Sequence, residues 1–167
     1  MRESDIQQLQ KDFTGDIIRP GDALYDEASA VLIKKGSPAL VLWPKTTADV
    51  SAGVRFAADH SLLLSVRSGG HSNAGLSTND GGLVIDMRHF DAAELLDKAT
   101  RRVRLGAGLT WAEVAKALHQ YGLVLSSGDT KTVAVGGLAV GAGMGWMVRK
   151  YGPVSYTHLT LPTKRIV

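Results

Sequence analysis

Val66-Arg67-Ser68-Gly69-Gly70-His71-Ser72-Asn73-Ala74-Gly75 is the stretch on which the fold turns. It closes an apolar run, Leu62-Leu63-Leu64-Ser65-Val66, that predicts a buried strand over 62–66. Adjacent glycines let backbone N–H groups turn inward and approach a ligand closely. A concave set of such donors suits phosphate oxygens, and Arg67 offers a charged fork for the same phosphates. His71 sits on the loop beside whatever the loop holds. Gly-Gly is also an ordinary turn signal, so the loop alone fits a plain turn carrying a surface histidine as well.

Upstream, Ala39-Leu40-Val41-Leu42-Trp43 reads as a strand stopped by Pro44. Thr46 and Asp49 form a cap-like pair, and Val50, Val54, Ala57 and Ala58 recur at helical spacing, which predicts a helix over 46–59. The result is a β-α-β unit whose phosphate-type loop follows the second strand. A Rossmann site places its glycines after the first strand, directly before the helix. The loop also lacks the Gly-Lys-Ser/Thr ending of a P-loop. Both common nucleotide folds are thereby disfavoured. Further upstream, Ser4 and Gln7 predict a capped helix with Ile6, Leu9 and Phe13 on one face, and Tyr25 opens a helical segment lasting to about Ile33.

Downstream, 77–82 is a polar turn and Leu83-Val84-Ile85-Asp86 a short buried strand. Leu95-Leu96-Asp97 and Arg102-Val103-Arg104-Leu105 predict a hairpin around 98–100. Thr110 and Glu113 make a capping box for a helix with Trp111, Val114, Ala115 and Leu118 on one face, and Gly122 is its C-terminal stop. A second glycine cluster, Gly136-Gly137-Leu138-Ala139-Val140-Gly141-Ala142-Gly143-Met144-Gly145-Trp146, fits backbone packed against a flat or charged partner or against another protein segment. The elements read as an α+β fold of two small α/β lobes with a ligand between them.

The 167 residues suffice for one modest domain, and a net charge of +3 with dispersed basic residues gives no nucleic-acid patch. Arg101, Arg102 and Arg104 read as the wet face of a strand. The absence of cysteine removes disulfides, thiolate metal sites and thiol nucleophiles. His60, His71, His89, His119 and His158 do not pair at zinc spacing, so no metal is expected. Asp86 and Asp129 fit a strand end and a turn better than acid/base roles, and no serine or threonine has a triad context. No apolar run is long enough to span a bilayer and no leader is evident, so a cytoplasmic protein is the expectation.

Taken in order, Arg67-Ser68-Gly69-Gly70-His71-Ser72, Gly81-Gly82-Leu83-Val84-Ile85-Asp86 and Gly106-Ala107-Gly108-Leu109-Thr110-Trp111 resemble one family. It is the FAD-linked oxidases of the p-cresol methylhydroxylase and vanillyl-alcohol oxidase type, in the berberine-bridge-enzyme-like branch. Arg149-Lys150-Tyr151-Gly152 fits the end of the family's second flavin-contacting segment. The usual Trp-Asn pair of the lead-in segment is replaced by Val31-Leu32-Ile33-Lys34. The resemblance implies a PCMH-type FAD-binding domain in which Arg67, Ser68, Gly69, Gly70, His71 and Ser72 hold the pyrophosphate. It further implies that Gly106, Gly108, Gly137, Gly141 and Gly143 admit backbone to the cofactor, and that His71 is bonded to the flavin 8α-methyl carbon. Some relatives add a cysteine link at the position aligned with Thr130, for which this chain has no thiol. The implied activity is hydride transfer from a hydroxyl- or amine-bearing carbon of a small-molecule substrate to flavin N5, with dioxygen as acceptor. The resemblance assigns no catalytic base and leaves substrate and oligomeric state open.

The expected division is a lead-in segment over 1–35, an incomplete FAD-binding domain over 36–153 and a non-native tail over 154–167. The resemblance stops near Gly152, which implies a truncated domain. A flavin-binding module or a non-catalytic fragment is the alternative to an oxidoreductase.

Overall fold

The computed structural model describes residues 2–141 and 143–153. Its centre is a four-stranded sheet of β1 (Asp16–Ile18), β2 (Leu40–Trp43), β3 (Leu64–Arg67) and β4 (Leu83–Asp86), in the order β1-β2-β4-β3. β2 and β3 both run parallel to β4, and β1 is antiparallel to β2. β4 thus slots between the two strands of the β-α-β unit. All four residues of β2 and of β4 are buried, as expected of central strands covered on both faces. β3 begins two residues later than the predicted strand and is half-buried, with Val66 56% exposed. An edge strand has one neighbour and covers one face, so Ser65 and Arg67 point inward and Val66 outward.

The crossover helix α3 (Thr47–Asp59) starts at the predicted cap, with the Thr46 hydroxyl accepting from the Asp49 N–H at 3.1 Å. The Asp49 carboxylate does more than close that box. It accepts from the N–H groups of Lys45 and Thr46 and from both the N–H and hydroxyl of Thr14. Burial alone would raise its pKa, but these bonds to the ionised form prevail and lower it from 3.8 to about 2. The helix α1 (Glu3–Asp12), which ends just before Thr14, is held against α3 in part by this group.

The buried face of α3 is Asp49, Gly53, Phe56 and Ala57, rotated from the predicted face, and Val54 is exposed. Gly53 explains the rotation. A Cβ there would lie 2.8 Å from Leu42 Cδ1, so the bare backbone sits directly on the sheet. In α1, Ile6, Leu9 and Phe13 are buried as expected. Its cap is different from the predicted Ser4/Gln7 box: the Asp5 carboxylate accepts from the Arg2 N–H at 2.8 Å. α2 (Tyr25–Ser29) stops four residues short of Ile33. Residues 30–35 form a tight turn closed by an Ala30–Lys35 bridge, and the β-branched Val31 and Ile33 favour that over helix.

The second lobe contains the predicted hairpin, β5 (Ala93–Asp97) with β6 (Arg102–Leu105), and α4 (Trp111–His119) capped by Thr110 and Glu113. Trp111, Val114 and Leu118 are buried together with Leu109, Val135 and Ala139, while Ala115 faces solvent. The glycine cluster contributes a short helix, α5 (Val135–Val140), and Val148–Tyr151 forms α6. Propensity gave no sign of α5, because Gly136 and Gly137 disfavour helix. Burial of Val135 and Ala139 decides it.

Candidate functional site

The glycine loop leaves β3 after the buried Arg67 and packs against the start of α5. Gly69 approaches the Ala134 backbone so closely that a Cβ would lie 2.8 Å from its nitrogen. Gly136 packs on the Ser68 side chain and on Ala107. Gly70 has φ +69, a left-handed conformation that an L side chain resists. The two lobes therefore meet through glycines, and a cleft of about 640 Å³ opens between them.

Of the residues singled out in the sequence, Ser68, Gly69, Gly70, His71, Ser72, Gly137 and Gly141 line this cleft. Leu138 and Val140 of α5, with Val133 and Met87, give it apolar walls. Among the described residues, the backbone N–H groups of Gly69, Gly70, His71 and Ser72 donate to no protein acceptor. The cleft thus combines a row of free donors with an apolar wall. No protein atom lies within 4 Å of where a Gly137 Cβ would project, so that glycine faces open space.

Arg67 is placed differently from the expected phosphate fork. Its guanidinium is buried and donates to Asp86 Oδ2 through Nε at 2.9 Å and through Nη2 at 2.5 Å. Its Nη1 donates to the Ala30 carbonyl at 2.8 Å. Asp86 in turn accepts from Arg88, whose guanidinium lies 3.8 Å over the Trp43 ring. Gly106 and Gly108 are also turned to protein: their Cα faces meet the backbone carbonyls of Phe90 and Met87. Gly143 is buried in the segment after α5. Sequence reasoning did not single out Met87, Ala107, Val133 or Ala134 as cleft residues. Each is apolar and ordinary in sequence, and only the lobe contact brings them to the loop.

Among the described residues no group of three or more His, Asp or Glu is arranged to hold a metal ion. No described helix is long and apolar enough to cross a membrane. Among the described residues Asp129 accepts a side-chain hydrogen bond only from its neighbour Thr130, at 3.1 Å, consistent with a turn residue.

A mixed-sheet lobe and a hairpin-and-helix lobe close a donor-lined, apolar-walled cleft, an arrangement suited to an extended cofactor with phosphates and a flat ring. Residues 38–161 match the FAD binding domain family, and the chain belongs to that family of FAD-linked oxidoreductases. It is 35% identical over 143 residues to (R)-6-hydroxynicotine oxidase of Paenarthrobacter nicotinovorans, covering 84% of this chain and 31% of that protein. Its fold is similar to that of BBE-like 1 from Physcomitrella patens, with a TM-score of 0.82 at 29% identity, over 90% of this chain and 33% of that one. It also matches glucooligosaccharide oxidase from Acremonium strictum, whose FAD is described as 6-S-cysteinyl, 8α-N1-histidyl. There the TM-score is 0.81 at 23% identity, over 92% of this chain and 33% of that one, a likeness of fold alone. The chain spans about a third of the length of the relatives it matches.

The site fits FAD on this structure's own terms. Pyrophosphate oxygens need donors of the kind that Gly69 to Ser72 leave free, and a flat ring needs an apolar wall it can approach closely, as at Gly137 between the cleft residues Leu138 and Val140.

Proposed function

We propose that this chain is the flavin-holding part of an oxidoreductase that takes a hydride from a hydroxyl- or amine-bearing carbon of a small molecule and passes electrons to dioxygen. The observation that carries the reading is the cleft, where the free donors of Gly69 to Ser72 and the ring of His71 meet the bare backbone of α5. Flavin, when bound, would supply the redox chemistry, as hydride acceptor at N5 and as electron donor to dioxygen, which would become hydrogen peroxide. The chain's residues bind and orient it: the loop N–H groups take the pyrophosphate, and Leu138, Val140 and Met87 keep water from the ring. By this proposal His71 would hold the flavin through one bond from a ring nitrogen to the 8α-methyl carbon, losing its N–H proton while the methyl carbon loses one, with dioxygen as the two-electron oxidant. These 167 residues contain no cysteine, so they offer no thiol for a second covalent link.

We propose also that turnover requires residues beyond these 167, because no group here is assigned as the substrate base and Met144 and Trp146, outside the cleft, are 75% and 93% exposed. Exposed apolar surface of this kind favours association of the short chain with itself. The test is made on the protein with its natural continuation, denatured in acid and run on a gel. A fluorescent flavin band should travel with the wild-type chain and vanish in His71→Ala. Flavin that washes off the wild type entirely would refute the attachment. The 167-residue chain itself should consume no oxygen with any alcohol, sugar or amine, and a soluble monomer that does so would overturn the need for further residues.

A further inference from the structure

The glycine loop is held by a buried ionic relay that lies outside the cleft between the lobes and borders a second hollow of about 600 Å³ on the same loop. Asp86 and Arg67 are 1% and 5% exposed. The Asp86 carboxylate ties the end of β4 to Arg67 at the end of β3 and to the N–H and Nε of Arg88. Arg67 passes the connection on, donating to the Ala30 carbonyl at the start of the 30–35 turn. That turn then reaches the loop: the Leu32 N–H donates to the Gly70 carbonyl at 3.2 Å, one residue before His71. Val31 packs against the Gly70 Cα, in contact with where a Cβ would stand. The conformation that aims His71 is therefore fixed through three joined segments.

A buried ion pair is poor evidence for stability, because apolar replacements of similar volume often do as well. Its directional hydrogen bonds are better suited to fixing geometry. We infer that Asp86, acting through Arg67 and the 30–35 turn, is a positioning residue that sets the approach of His71 to the flavin. This rests on the attachment proposed above. Small misplacement of a reacting group is costly, since about 1 Å can lower a rate about a hundredfold.

The test uses the full-length protein prepared free of flavin, mixed with FAD, with acid-stable fluorescence followed in time. Melting temperature and FAD dissociation constant are measured alongside. Asp86→Asn should slow attachment by about ten- to a hundredfold. Arg67→Met combined with Asp86→Leu should restore a melting temperature close to wild type while attachment stays slow. Leu32→Pro lies on an exposed turn and removes the N–H that reaches Gly70 while restraining Val31 beside it, so both of the turn's holds on the loop are altered and attachment should slow without loss of the folded state. Attachment at the wild-type rate in Leu32→Pro, or recovered along with stability in the double variant, would overturn the relay. A wild type that acquires no acid-stable flavin would instead sink the attachment itself.

Discussion

Gly106 and Gly108 face protein backbone, whereas Gly137 faces open space in the cleft. All three lie in glycine-rich stretches that read alike in sequence. The first pair lets the link between β6 and α4 pass against the carbonyls of Phe90 and Met87, so it serves the fold. Gly137 leaves a wall bare beside the free donors of the Gly69 to Ser72 loop, so by our reading it serves the cofactor. A missing side chain is thus informative only once its surroundings are known.

Substitution separates the two kinds. In Gly106→Ala the new methyl meets the Phe90 carbonyl, backbone that cannot swing aside, and unfolding stability should fall by about 3 kcal/mol. Urea denaturation would check this, and an unchanged midpoint would break the comparison.

The two capping boxes sharpen the same contrast between a residue that looks local and one that joins segments. Thr46/Asp49 and Thr110/Glu113 are both i, i+3 pairs, and both were legible from spacing. Glu113 is exposed and bonds only Thr110, whereas Asp49 is buried and also binds Thr14. Asp49→Asn should therefore cost about 2 kcal/mol, and Glu113→Gln well under 1 kcal/mol. The pH dependence has a defined sign. The Asp49 pKa falls from 3.8 to about 2 on folding, so its contribution is complete above the unfolded value. It is lost as pH drops through the folded one. The roughly 2 kcal/mol at stake should disappear between about pH 4 and pH 2 in the wild type and be absent from the Asn variant.

Gly137→Ala should have the smallest effect on the fold. Its methyl meets no protein atom, and alanine is the better helix former, so the melting temperature of the flavin-free protein should hold or rise by an amount worth about 0.5 kcal/mol. FAD affinity should drop about tenfold, because the methyl enters the cleft. A fall in melting temperature without loss of affinity would place Gly137 with Gly106 and Gly108.

Much of the fold was legible because its signals are local. The apolar runs of β2 and β4, the capping boxes and the hairpin each lie within a few residues. What was not legible depends on distant partners. β4 inserts between β2 and β3 although it follows both, and Gly53 rotates α3 by fitting Leu42 and Ile85. Arg67 reads as a phosphate fork beside glycines, but Asp86, nineteen residues on, takes its guanidinium into the interior. α5 arises in a glycine-rich run because Val135 and Ala139 are buried, a gain that outweighs local propensity. The loop residues Ser68 to Ser72 stood out because their peculiarity is compositional.

The central claim is that the cleft holds flavin through His71 alone. Proteolysis of the flavin-loaded, full-length protein followed by peptide mass mapping tests it most directly. The account predicts the added mass of the flavin on the peptide containing His71 and on no other. Flavin found on the peptide containing Thr130, or an unmodified His71 peptide from protein that retains its flavin through acid, would contradict it.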